Sequence, residues 1–347
     1  MRGRMTMKKK NSIMSMPVGC FWGVVAVCVI GIIIGSIHDF DINVALANKT
    51  ELGSFFATYG SYFSYCLYPA AGACLYVGLK SKGDRFLALS RVLLLVGWFM
   101  AVYYSNSYNG KAVRALFGYT AGESSPTLSV PCWLFWVVLY AWVPFVTIKL
   151  VDNTNPDKLI AVGAAILAAG IVADNVNLWL KQVASRPRYK YLITLNDPKS
   201  EFRNWWQMIP NLAESDDNFK SWPSGNMTIA SMMFSLPMLT DLWKKRSAGK
   251  NMVAFIIACV FVLLYGYNRI HMTNHFLADV CFGTLIPLMV KLGFCAATVT
   301  VASTQVRIMV AFFIACMYYF IPFLKLSYFV NIIANMSIAI ITATIPP

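Results

Sequence analysis

Residues Lys220 to Ala230 read KSWPSGNMTIA. A Pro-Ser-Gly turn leads there into an apolar stretch, and a glycine at a helix N-terminus turns unpaired backbone N–H groups toward an anion. Taken alone, the pattern is a common helix start. Its meaning depends on its surroundings, and the first question is what solvent surrounds the helix it opens.

Of the 347 residues, 58% are hydrophobic and only 13% are charged, which is the composition of a membrane protein. Stretches of roughly twenty apolar residues, enough to cross a bilayer core, fall at 17–37, 55–79, 86–104, 131–150, 159–180, 227–242, 252–267, 276–295 and 306–324, with a further one near 326–345. The expectation is an all-α polytopic membrane protein of about nine or ten transmembrane helices, forming one integral membrane domain over 1–347. The longest polar segment between spans runs only from Lys181 to Ser224, which leaves no room for a large soluble domain. The basic start MRGRMTMKKK precedes an apolar stretch with no small-residue cleavage site, so it reads as a retained anchor. Nine cysteines lie within or at the edges of apolar spans without a C-x-x-C pair; they read as packing residues rather than bridges or metal ligands. No internal repeat marks the halves of a transporter.

Lys and Arg accumulate in short cytoplasmic loops. With the N-terminus inside, KSKGDR after the second span and WKKRSAGK after the sixth fall inside, and 106–130, 181–224 and 268–274 fall outside. The outer segments are basic as well, so part of the net charge of +14 has a task other than orientation, and an anion site is the natural one. Nucleic acid is a poor partner, since no basic stripe sits on a soluble module.

Three segments stand at span ends on this outer face. In DNVNLWLKQVASRPRYKY, Lys181 closes the fifth span and Arg186, Arg188 and Lys190 follow; alone, such a run is usually headgroup contact or snorkelling. The second segment is the opening stretch, with Pro223, Ser224 and Gly225. In NRIHMTNHFLAD, Arg269 ends the seventh span, and His275 and Asp279 stand four residues apart on one helical face. That spacing lets Asp279 accept the Nδ1 proton and aim Nε2 outward, as a nucleophile or base requires. A structural His–Asp contact is the plainer reading of that pair by itself. An ionisable pair at a membrane-span end is costly and marks function by default.

Together the three segments resemble the signature of the type 2 phosphatidic acid phosphatase superfamily, the lipid phosphate phosphatases related to glucose-6-phosphatase and the vanadium haloperoxidases. Its pattern is K-x6-R-P, then P-S-G-H, then S-R-x5-H-x3-D. Here Lys181 and Arg188 give K-x6-R with Tyr189 for the proline, Pro223-Ser224-Gly225 gives the centre with Asn226 for the histidine, and Arg269-x5-His275-x3-Asp279 gives the third with Asn268 for the serine. The motifs cover 181–279.

The resemblance implies a six-helix phosphatase-like core and a division of labour. Lys181, Arg188 and Arg269 hold the phosphoryl oxygens, with donors added by Ser224 and the Gly225 amide. His275 attacks phosphorus, Asp279 steadies the imidazolium, and no metal or cofactor is required. Asn226 occupies the place of the general acid, and an amide cannot hand over a proton near neutral pH. Four readings follow: an enzyme whose substrate tolerates the missing acid, such as an isoprenoid diphosphate; a proton supplied elsewhere, His271 being nearest in sequence; a lipid-phosphate-binding protein without turnover; or a phosphatase inactivated by His→Asn substitution. The expected partners are a lipid phosphate or diphosphate and the surrounding membrane lipids. The absence of a retention motif and the compact basic N-terminus point to the plasma membrane, with the site facing outside. Trp205 and Trp206 read either as an interfacial belt or as rings lining a lateral entrance for a lipid headgroup.

Overall fold

The computed structural model describes residues 12–116, 126–210 and 216–299. The chain falls into two compact units, Met1–Leu292 and Gly293–Pro347, and the second is described only over its first residues. The expected spans 306–324 and 326–345 and residues 117–125 of the expected loop 106–130 lie outside the described residues.

Among the described residues, twelve α-helices follow a short hairpin that pairs Ser12–Ile13 with Met16–Pro17: α1 (Val18–Leu46), α2 (Glu51–Tyr59), α3 (Tyr62–Tyr65), α4 (Leu67–Lys80), α5 (Leu87–Leu116), α6 (Pro126–Leu150), α7 (Pro156–Ala184), α8 (Tyr189–Leu192), α9 (Gly225–Ala230), α10 (Leu236–Thr240), α11 (Ala248–His271) and α12 (Leu277–Val299). Among the described residues, five stretches are long and apolar enough to cross a membrane: Val18–Leu46, Asp84–Asn106, Trp133–Leu150, Pro156–Leu192 and Ala248–His271.

Two expected spans are not single helices. The 55–79 stretch is divided among α2, α3 and α4, and the 227–242 stretch winds as α9, a 3-10 segment Ser231–Ser235 and α10. Proline explains the break at Cys66, between α3 and α4, and the 3-10 winding before α10. Pro69 and Pro237 lack an N–H, and their rings collide with the carbonyl four residues back; α3 ends at Tyr65, and the 3-10 segment contains Met233. A carbonyl freed in an apolar interior needs another donor. The Met233 carbonyl takes the Leu236 amide, and the fully buried Lys291 of α12 braces the 3-10 segment, donating from Nζ to the Ser231 carbonyl and to Ser235 Oγ, both at 3.2 Å.

Helix α1 runs past the expected end at residue 37 to Leu46. Its buried stripe is Phe21, Cys28, Gly31, Gly35, Asp39 and Asn43, so a narrow small-residue face passes into a polar one toward the C-terminal end. Small residues let backbones approach closely in membrane bundles. A Cβ on Gly35 would meet the backbone N of Ala278 at 2.8 Å, which places α1 directly against the start of α12. On α7, Asp174, Asn177 and Lys181 form a similar buried stripe ending at the same face of the bundle.

Candidate active site

Each motif sits where a helix ends or begins. Lys181 is in the last turn of α7, whose C-cap, Ser185, adopts the left-handed conformation at φ 41°. That turn folds the next residues back into the protein, so that Arg186 is buried and Arg188 keeps only 15% of its side chain exposed. Ser224 caps α9 with its side chain toward Met227 N. A second left-handed turn, at Thr273 with φ 61°, separates Arg269 of α11 from His275. Left-handed non-glycine residues are uncommon and costly, and they cluster at functional sites.

Hydrogen bonds tie the motifs together. Lys181 Nζ donates to the carbonyls of Lys220 (2.8 Å) and Pro223 (2.6 Å). Gly225 lies beside Lys181, since an added Cβ would stand 3.1 Å from Asn177 Oδ1 and 3.6 Å from Lys181 Cε. The Ser224 amide donates to the Asp279 carbonyl at 3.0 Å. The His275 amide donates to the Arg269 carbonyl at 3.2 Å. The charges of Lys181 and Arg188 act on His275, and those of Arg269 and Asp217 on Arg188. Lys181, Arg188, Ser224, Gly225, Arg269, His275 and Asp279 therefore share one site. Asn226 follows Gly225 in the first turn of α9 and is half-buried.

The site differs from the sequence expectation at the His–Asp pair. His275 Nδ1 is 3.9 Å from Asp279 Oδ2, too far for a hydrogen bond, and lies 2.8 Å from the Ser221 carbonyl. A carbonyl only accepts, so Nδ1 carries the proton and Nε2 is left with its lone pair. Asp279 acts at one remove. Its Oδ2 accepts from Ser221 Oγ at 2.5 Å and from the Phe276 amide at 2.9 Å, and its Oδ1 pairs with Arg186 Nη1 at 2.6 Å. His275, in the turn between α11 and α12, is pushed down from the ordinary 6.5 to about 3, chiefly by burial. Asp279 pulls the other way, and the positive Arg188 and Lys181 add to the depression.

Among the described residues, two buried guanidinium donors in the site have no partner: Nε of Arg188 and Nε of Arg269. A buried unsatisfied donor costs about 1–3 kcal/mol, an expense that an anionic ligand removes. Arg188 also reaches Asp217 at 3.2 Å, a carboxylate at the surface end of its side chain.

Other expectations are redrawn. His271 donates from Nδ1 to the Leu46 carbonyl at 2.9 Å and stacks on Tyr267, contacts that tie it to the end of α1. Trp205 bonds Ser36 Oγ at 2.9 Å and packs with Trp222 and Phe282, so it is a packing residue, whereas its neighbour Trp206 is 48% exposed. Three polar groups at the site escaped the sequence reading: Arg186, Ser221 and Asp39. Arg186 was noted only as part of a basic run. Asp39 had a signal, the i, i+4 series Gly31, Gly35, Asp39 and Asn43, which continues one face of α1 beyond its apolar window.

No curated protein and no solved structure matches the chain. Residues 158–309 match the family model described as the PAP2 superfamily, and this segment, which contains all three motifs, is to that extent similar to the family whose signature they resemble.

Proposed function

We propose that the protein is a membrane phosphatase that removes phosphate from a lipid phosphate or, preferentially, from an isoprenoid diphosphate, through a phosphohistidine on His275. The supporting observation is the Ser221 carbonyl 2.8 Å from His275 Nδ1: an acceptor there keeps the proton on Nδ1 and leaves the Nε2 lone pair for attack, with the charges of Lys181 and Arg188 close enough to act on the ring. Nε2 attacks phosphorus, a P–N bond forms, and the P–O bond to the leaving group breaks with its electron pair going to the departing oxygen. Water then attacks the phosphohistidine, the P–N bond breaks back to the ring, and inorganic phosphate leaves. Lys181, Arg188 and Arg269, with the Ser224 side chain and the Gly225 amide, take up the phosphoryl oxygens and their developing charge.

Asn226 sets the substrate preference in this reading. Loss of a general acid costs a factor of about 10² to 10⁴, roughly 3–5 kcal/mol of barrier. A departing alkoxide needs that proton, whereas a phosphate leaving from a diphosphate is already weakly basic. The protein would lie in the plasma membrane with the site facing outside. The alternative is a lipid-phosphate-binding protein without turnover, which the amide at 226 equally suits.

The test is phosphate release by purified protein from one lipid monophosphate and one isoprenoid diphosphate, beside Asn226→His and His275→Ala. Turnover of the diphosphate, lost in His275→Ala and extended to the monophosphate in Asn226→His, supports the proposal. Silence of the unaltered protein and of Asn226→His on both substrates would leave the binding protein.

A further inference from the structure

The family match begins at residue 158, yet the site is not closed by the matched segment alone. Helix α1, more than a hundred residues earlier in the chain, reaches the third motif at two points. Asp39 accepts from the Ala278 amide at 3.1 Å through Oδ1 and pairs with Arg186 Nη2 at 3.0 Å through Oδ2. One turn further along, Asn43 Nδ2 donates to the carbonyl of His275 itself at 3.2 Å. Both side chains are buried, Asp39 at 1% exposure and Asn43 at 0%.

Arg186 connects Asp39 to the reacting end of the site. Its two terminal nitrogens divide between Asp39 and Asp279, its Nε donates to the Arg203 carbonyl at 2.8 Å, and its guanidinium lies 4.3 Å from the Phe276 ring centroid. The guanidinium is thus bonded through all three of its nitrogens and packed against a ring. From Arg186 the chain of contacts runs to Asp279 Oδ1, through that carboxylate to Ser221 Oγ, and by way of residue 221, whose carbonyl accepts a hydrogen bond from Nδ1, to His275. Two carboxylates hold one guanidinium, and the negative charge left over is offset by Lys181 and Arg188, whose charges act on Asp279. Buried networks of this kind are costly when one member is removed.

We propose that Asp39 and Asn43 make α1 a positioning element for His275, Asp39 acting through Arg186, Asp279 and Ser221, and Asn43 acting on the histidine backbone. Neither residue touches the phosphoryl group. Their task is to fix the ring so that Nε2, not Nδ1, faces phosphorus. The inference rests on His275 being the nucleophile, as proposed above, and its test separates the two claims.

Asp39→Asn is nearly isosteric. Its carbonyl oxygen can keep the Ala278 bond, while its amide turns a donor toward the Arg186 donor and drives the guanidinium off. Asn43→Ala removes only the bond to the His275 carbonyl and serves as a second variant if Asp39→Asn does not fold. The full chain in detergent is assayed for phosphate release, separating kcat from KM. In parallel, histidine ¹⁵N resonances are recorded, and with three histidines in the chain His275→Ala assigns the signal. The expected result is a fall in kcat of about 10- to 100-fold, the usual cost of losing a residue that orients a reacting group. KM should stay within about threefold, and the His275 signal should move from the Nδ1–H tautomer toward a mixture. An active protein in which both variants keep kcat within about twofold and an unchanged His275 signal would overturn the positioning role and leave the phosphatase reading standing. An unaltered protein that releases no phosphate, yet whose His275 tautomer shifts in Asp39→Asn, would sink the phosphatase reading and uphold the positioning role.

Discussion

The two ends of α7 carry similar numbers of basic groups and treat them in opposite ways. Near Pro156, Lys80, Lys82, Arg85, Lys149 and Lys244 to Arg246 are exposed. Their ion pairs are open to solvent, as in Lys158–Asp241 at 2.6 Å with side chains 32% and 28% exposed. Near Ala184, Lys181, Arg186 and Arg269 are 8%, 1% and 5% exposed and are held by carbonyls, carboxylates or aromatic faces. Exposed cations on loops cost little. Buried ones must be offset by partners or by a ligand, and Arg188 and Arg269 are incompletely offset, each with a buried Nε that has no partner among the described residues. Sequence charge alone does not separate the two ends; burial does.

Changes at the two ends should therefore differ by orders of magnitude. The largest effect is expected from His275→Ala, which should lower kcat for phosphate release by about 10⁴-fold or more if it is the nucleophile, while Lys244→Ala stays within about twofold. Arg186→Met comes next, because it leaves Asp39 and Asp279 facing each other in the interior. A loss of roughly 3–5 kcal/mol of stability is expected, read as a lower midpoint in thermal or denaturant unfolding in detergent, against at most about 1 kcal/mol for Lys158→Ala. Equal losses would erase the contrast.

The pH dependence sharpens the same contrast. The folded value of His275 lies far below the unfolded value, so the unfolded chain binds the extra proton first. Its contribution is complete above 6.5 and is lost as pH falls from 6.5 toward about 3. The unfolding midpoint of the unaltered protein should therefore drop over that window more steeply than that of His275→Ala. Parallel curves would mean that the ring is not held neutral by burial. The smallest effect is expected at the left-handed cap. Ser185→Gly should raise stability by at most about 1 kcal/mol, since glycine adopts that conformation without steric cost, and a clear loss would show that the serine side chain matters more than its backbone.

Much of this site was legible in the sequence, because most of the residues it brings together fall in three short motifs that the structure places at helix ends. The breaks at Tyr65–Leu67 and Ser231–Ser235 were less so. Pro69 and Pro237 announce them, but Pro287 lies inside α12 without ending it, so a proline in an apolar run does not by itself decide between kink and break. Least legible were the connections between distant segments. That Asp39 would meet Arg186, 147 residues away, depends on α1 packing against α12, and hydropathy ends α1 before Asp39 is reached. The placement of Nδ1 on the Ser221 carbonyl rather than on Asp279 lies below the resolution of any spacing rule, since four residues on a helix bring the two side chains near without fixing which atom bonds which.

The most direct measurement is of the covalent intermediate. Purified protein is mixed briefly with a ³²P-labelled isoprenoid diphosphate, quenched in base and digested. The expected result is a base-stable, acid-labile label on the peptide containing His275, missing from His275→Ala and retained in Asn226→His. Turnover of the diphosphate with no label on that peptide, or a label that persists in His275→Ala, would contradict a phosphohistidine at this position.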